Sequence, residues 1–227
     1  MPIILNIESS GPVCSVCISQ GLEVLSAKAT EKDFQHTEQI TLLIEACVQE
    51  AGLTLQEIDA VAISSGPGSY TALRVGTATA KGICYALDKP LISIDTLKSL
   101  AGAAIRSFPG EAYYAPMIDA RRMEVYTNIF DRNNRALGKT RALIITENSL
   151  AEFPEDEKPV YLFGNGAKKC LELLPSPKFR YIEIALGAGN LVPLAAEKFQ
   201  QKAFVDLAYF SPFYLKSPNI TKAKPKL

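Results

Sequence analysis

The sequence predicts an α/β fold of two lobes, each running strand, strand, strand, helix, strand, helix. Three observations predict it. Short runs rich in β-branched residues, separated by glycine turns, open the first half. A helix with one apolar stripe follows them. A buried-looking strand, a glycine-rich turn and a second helix then complete the half, and the same order recurs more faintly after residue 100.

Taken in order, IILNIES, VCSVCIS and EVLSAKA read as three strands, with Gly11 and Gly21 at the turns between them. Apolar residues then fall at Ile40, Leu43, Ile44, Cys47, Val48 and Ala51, the spacing of one helix face, and Gly52 stands at the usual stop position. IDAVAIS is the next strand. SSGPGSY is a turn, TALRVGTATAKGICYAL a helix and PLISI a strand leading away. In the second half AYYAPMID and EVYTNIF flank the turn DARR, and TRALIIT is a third strand. VYLFGNGAKKCLELL reads as strand, turn and helix, and GNLVPLAAEKFQQKA as a last helix, with FPEDEKP a solvated loop before them. Tandem βββαβα halves are the layout of the actin/hexokinase/Hsp70 (ASKHA) fold, in which nucleotide sits between the lobes. The expected units are residues 1–100 and a smaller 101–227, with the boundary near 97–110, where SFPGEA punctuates the chain. The last stretch, SPNITKAKPKL, reads as a frayed tail.

Size and charge narrow the function classes. A chain of 227 residues buries roughly 70–75% of its unfolded surface and needs no covalent staple. Lys+Arg and Asp+Glu are equal at 24 each, so the basic excess of an autonomous nucleic-acid binder is absent. No basic leader and no long apolar run argue for a cytoplasmic protein that crosses no membrane, with its five cysteines reduced. Cys14 and Cys17 form a lone C-x-x-C inside a strand. Residues three apart on a strand face opposite sides, so core packing is expected rather than redox or zinc chemistry.

The single histidine, His36, rules out a two-histidine metal site in one subunit. It is expected to face solvent in the first turn of its helix. The turn SSGPGSY lacks the lysine of a G-x-x-x-x-G-K-[ST] loop, and Thr71 stands where a G-x-G-x-x-G pattern needs its third glycine. It still places Gly66, Gly68 and Ser69 at a helix N-terminus, where backbone N–H groups attract anions, with Ser69 and Thr71 as candidate caps. A magnesium-bound nucleotide also needs carboxylates. Glu8 on the first strand is the candidate, with Ser9 and Ser10 in place of a glycine. Asp119 is its possible counterpart, and Gly164, Asn165, Gly166 and Ala167 a possible adenosine border. Glu8, Gly66, Gly68 and Ser69 are thus the candidate nucleotide residues of an eroded site, and no cofactor is expected.

The second helix carries only Arg74 and Lys81 as charges, seven apart. Small residues run at Ala72, Gly76 and Ala80, and again at Ala78, Gly82 and Ala86. Close packing of these stripes is either all internal, against the sheet and the first helix, or shared. A helix this poor in charge is expected to be buried on two sides, one against the sheet and the other against a partner. The residues expected at that partner surface are Ala72, Leu73, Gly76, Thr77, Ala80, Ile83 and Cys84.

GPGSYTALRVG resembles the signature of the bacterial TsaB (YeaZ) family. The similarity extends over MPIILNIESSGPVCSVCI, QHTEQITLLI, KPLISIDTLKSLA, IDARRMEVY, FGNGA and PFYLK, and so over nearly the whole chain. The resemblance implies a pseudoenzyme. Members resemble the TsaD enzymes but are shorter and lack their His-x-x-x-His metal motif. At the matching place this chain reads IDTLKSLAG. It further implies a non-catalytic scaffold that pairs with TsaD, together with the ATPase TsaE, in making N6-threonylcarbamoyladenosine in tRNAs that read codons beginning with A. Members pair through helices of the N-terminal half, or form homodimers when alone, and meet tRNA only through the complex. Glu8 stands where the family often has Asp. The rival readings are an ATP-dependent phosphotransferase or ATPase of the same fold, which would need Glu8, and a peptidase, for which one histidine and no G-x-S-x-G offer little.

Overall fold

The computed structural model describes residues 1–33, 35–146, 149, 153–173 and 176–216; the lysine-containing tail lies outside the described residues. The first lobe opens with β1 (Ile3–Glu8), β2 (Ser15–Gln20) and β3 (Glu23–Ala29), followed by α1 (His36–Glu50), β4 (Ala60–Ser64), α2 (Tyr70–Leu87) and β5 (Leu91–Ile94). Its sheet has the order β3-β2-β1-β4-β5. The first three strands are antiparallel neighbours, and β4 and β5 are parallel additions. α1 and α2 cover one face. Leu5, Ile7, Val61 and Ile63 meet Ile40, Ile44, Cys47, Ala80 and Cys84 there, because alternate strand residues share a face.

The second lobe repeats the plan. β6 (Tyr113–Asp119), β7 (Glu124–Thr127), β8 (Arg141–Ile144), β9 (Val160–Phe163) and β10 (Phe179–Tyr181) form a sheet of order β10-β9-β6-β7-β8. The position of each strand in its sheet matches the first lobe, so the two-lobed ASKHA reading holds. Where a helix was expected after FGNGA, a short 3-10 stretch, Lys168–Leu173, stands instead.

The stretch 97–110, where the boundary was expected, overlaps α3 (Thr96–Ser107), whose N-cap Asp95 accepts from the Lys98 N–H at 2.7 Å. α3 packs on the second sheet: Leu97, Leu100, Ala101 and Ala104 meet Tyr114, Ile118 and Phe163. Reciprocally α4 (Val192–Gln200) returns to the first sheet and covers its other face, Leu191 and Ala195 against Ile4, Ala60, Ala62, Ile92 and Ile94. Each lobe is therefore completed by a helix that follows the other lobe's strand in sequence or lies beyond it. Periodicity identifies an amphipathic helix but not the sheet it covers.

Cys14 and Cys17 are both buried on opposite faces, Cys14 in the α1 and α2 core and Cys17 against Ala188 and Val192. Burial pushes both thiols up to about 12, so neither is a nucleophile.

Candidate functional site

The turn between β4 and α2 is tied down by its neighbours. The Ser65 N–H donates to Ile94 O (2.8 Å), the Gly66 N–H to Thr96 Oγ1 (3.1 Å), and the Ser69 N–H to Ser10 O (2.8 Å). Ser69 caps α2 by accepting from the Ala72 N–H at 3.5 Å. Gly68 lies so close to Ser10 that a Cβ there would stand 2.6 Å from Ser10 Cβ. Gly68 and Ser69 therefore meet the β1–β2 turn on one side, and on the other they border the cleft between the lobes.

Glu8 is fully buried. One carboxyl oxygen accepts from the Ser10 N–H (2.7 Å) and the Ser10 hydroxyl (2.6 Å), while Oε2 has no partner. Burial pushes its pKa up, with the Ser10 hydrogen bonds opposing. Asp119 forms an ion pair with Lys169 and accepts from the Arg121 N–H at 3.0 Å. Asn165 accepts from the Asp119 N–H at 3.1 Å, which holds the Gly-Asn-Gly turn against the end of β6. Between the lobes lies a cleft of about 570 Å³, bordered by Ser10, Gly68, Asp119, Arg121, Tyr126 and Tyr214. Among its described borders the carboxylates are Asp33 and the paired Asp119, and no group of three metal-ligating side chains occurs among the described residues.

His36 needs a correction. It is buried, 4% exposed, rather than facing solvent. Burial lowers its pKa, against a hydrogen bond with the Gly11 backbone, and Nε2 has no partner. The β1–β2 turn folds over the start of α1, a long-range approach that helix position alone does not reveal.

The expected partner residues on α2 also need correcting. Ala72, Leu73, Gly76, Thr77, Ala80 and Cys84 all face inward, onto the chain's own sheet and the β1–β2 turn. Only Ile83 is part-exposed, at the rim of an open groove. The other small stripe, Ala78, Gly82 and Ala86, is the exposed one. Between α1 and α2 it borders a groove of about 770 Å³ lined by Ile44, Val48, Leu53, Leu55, Ala78 and Ile83. Leu42 and Tyr85, on the same two helices, are 53% and 84% exposed. A Cβ on Gly82 would meet nothing within 4 Å. The signal was present in the sequence as two small stripes, but choosing between them requires knowing which one the sheet takes.

A family model described as TsaD: tRNA N6-adenosine threonylcarbamoyltransferase matches residues 29–224. The tRNA threonylcarbamoyladenosine biosynthesis protein TsaB of Buchnera aphidicola subsp. Schizaphis graminum is 31% identical over 170 residues, 74% of this chain and 80% of that protein. The chain belongs to the TsaB branch of this family. YeaZ from Pseudomonas aeruginosa superposes with a TM-score of 0.81 at 25% identity, over 95% of this chain and 100% of that one. By contrast, the tRNA N6-adenosine threonylcarbamoyltransferase of Clostridium perfringens (strain SM101 / Type A) is 36% identical over 112 residues, and the match covers 33% of that protein. The resemblance to TsaB therefore runs along the chain, and the resemblance to that transferase covers only a part of the transferase. No helix among the described residues is long and apolar enough to cross a membrane.

Proposed function

We propose that this TsaB-family chain serves the formation of N6-threonylcarbamoyladenosine in tRNA as a non-catalytic partner subunit. It docks a TsaD-type chain through the groove between α1 and α2. The observation that carries the reading is Gly82. Glycine within a helix costs about 1 kcal/mol relative to alanine, and here no neighbour among the described residues requires it. It sits instead on an exposed stripe beside an apolar groove, the arrangement that lets a partner's helix approach the backbone closely. The names of its relatives supply the pathway, and the sealed carboxyl of Glu8 supports a role by contact rather than by catalysis. The chain works in the cytoplasm, meets tRNA through the assembly with TsaD and TsaE, and pairs with its own copy when alone.

The test is size-exclusion chromatography with light scattering on the chain, alone and mixed with TsaD from the same organism, with ATP turnover assayed on the fractions. A mixed complex and an inert free chain are the expected result. ATP hydrolysis by the chain alone, lost in Glu8→Ala and without complex formation, would establish the phosphotransferase reading instead.

A further inference from the structure

The chain passes between the lobes twice. β5 ends at Ile94 and α3 begins at Thr96. Later, the Ile182 N–H still donates to Leu162 O in the second lobe, whereas the Ala188 N–H donates to Ser15 Oγ in the first. Two covalent crossings define a hinge line, and lobes joined in that way rotate about it unless something away from the line holds them. Neither crossing borders the interlobe cleft, but Phe213, Tyr214, Leu215 and Lys216 do.

We propose that residues 205–216 are a strap that fixes the angle between the lobes, anchored along the first and tied across the cleft to the second. The anchorage on the first lobe is continuous. The Val205 N–H donates to Leu91 O at 3.0 Å. The Lys81 ammonium on α2 donates to Ala208 O (3.1 Å) and Phe210 O (3.2 Å), and Phe210 packs on the α1 and α2 core. The Phe213 N–H donates to Ser65 O at 2.7 Å. At that point Gly66 has φ +102°, and a Cβ on it would stand 2.6 Å from Phe213 O. Only glycine lets the strap lie this close to the turn. The Tyr214 ring then rests on Tyr70, centroids 4.8 Å apart. From this anchored end Lys216 reaches over and pairs with Glu124 of β7 in the second lobe.

A tie of this kind opposes rotation of the lobes about the two crossings. It also connects two regions of the molecule physically, because α2 holds the strap through Lys81 and the strap borders the cleft. The cross-lobe pair is half-exposed, with side-chain exposures of 40% for Lys216 and 17% for Glu124, so salt weakens it. The interlobe angle is therefore predicted to loosen as ionic strength rises.

The experiment measures the distance between spin labels on Glu38→Cys in α1 and Glu157→Cys in the second lobe. Both positions are exposed, while all five native cysteines are buried and remain unlabelled. The intact chain is expected to show one narrow distance distribution that broadens at high salt. A chain ending at Lys216 should match it. Lys216→Ala should give the broad distribution at low salt, with no further response to salt, and a chain ending at Ser211 should broaden it more. If the shortened chain fails to fold by circular dichroism, Lys216→Ala and Glu124→Gln decide the matter alone. A broad distribution in the intact chain at low salt, or an unchanged one in both point variants, overturns the strap. So does broadening in the chain that ends at Lys216, since the tie would then lie beyond that residue.

Discussion

Gly76 of α2 lies directly on Ser9 of the β1–β2 turn: a Cβ on Gly76 would stand 2.9 Å from Ser9 Cβ and nearer still to its hydroxyl. Six residues along the same helix, Gly82 meets nothing. Two glycines with the same local cost thus have different reasons to exist. Gly76→Ala should lower stability by about 1–3 kcal/mol through overpacking. Gly82→Ala should raise it by up to about 1 kcal/mol. Urea denaturation of both variants checks the pair. Equal effects would show that the groove face is packed after all.

If the groove is the docking surface, Gly82→Glu should abolish association with TsaD while leaving the monomer folded. The introduced carboxylate would be desolvated in an apolar contact beside Glu45, at a cost of several kcal/mol. Light scattering reads the association and thermal melting reads the fold. A stable Gly82→Glu monomer that still binds TsaD places the partner elsewhere.

The buried carboxyl of Glu8 gives stability a pH dependence of defined sign. Its folded pKa lies above the ordinary value because burial disfavours the charged form. The stability it contributes is fully present below the unfolded pKa of about 4.3 and is lost as pH rises through the folded value. Each pH unit between those two values is worth about 1.4 kcal/mol. Melting temperatures of the unaltered chain should therefore fall relative to those of Glu8→Gln as pH rises above the ordinary glutamate value. Parallel curves would mean that the carboxyl reaches water.

A chain cut at residue 100 should not fold. Without α4 the face formed by Ile4, Ala60, Ala62, Ile92 and Ile94 is bare, and exposed apolar area of that kind costs roughly 25 cal/mol per Å². Binding of a hydrophobic dye, together with the loss of a cooperative melt, would report it. A cooperative, dye-free fragment would show that the first lobe stands alone as the sequence boundary suggested.

Much of the fold was legible because its signals are local. The stripe from Ile40 to Val48 and the strand runs depend on periodicity within a few residues, and they recur in the structure as α1 and the first sheet. The placement of Cys14 and Cys17 on opposite faces followed from strand alternation in the same way. The candidate site was legible only as a choice between alternatives. Both small stripes of α2 were visible, and the one chosen proved to be internal, because which face the sheet takes is set by the approach of Ser9 to Gly76 across 67 residues of chain.

By itself, then, the sequence determined the strand and helix order of the first lobe, the balanced charge, the lack of paired histidines and the family to which the chain belongs. These are properties of neighbouring residues and of composition. Only the tertiary structure decided that α3 and α4 each complete the opposite lobe, that Glu8 and His36 are sealed from water, and that the Ala78, Gly82 and Ala86 stripe is the open one. Each of those outcomes depends on close packing between distant segments, where an ångström of backbone approach decides which residues are buried.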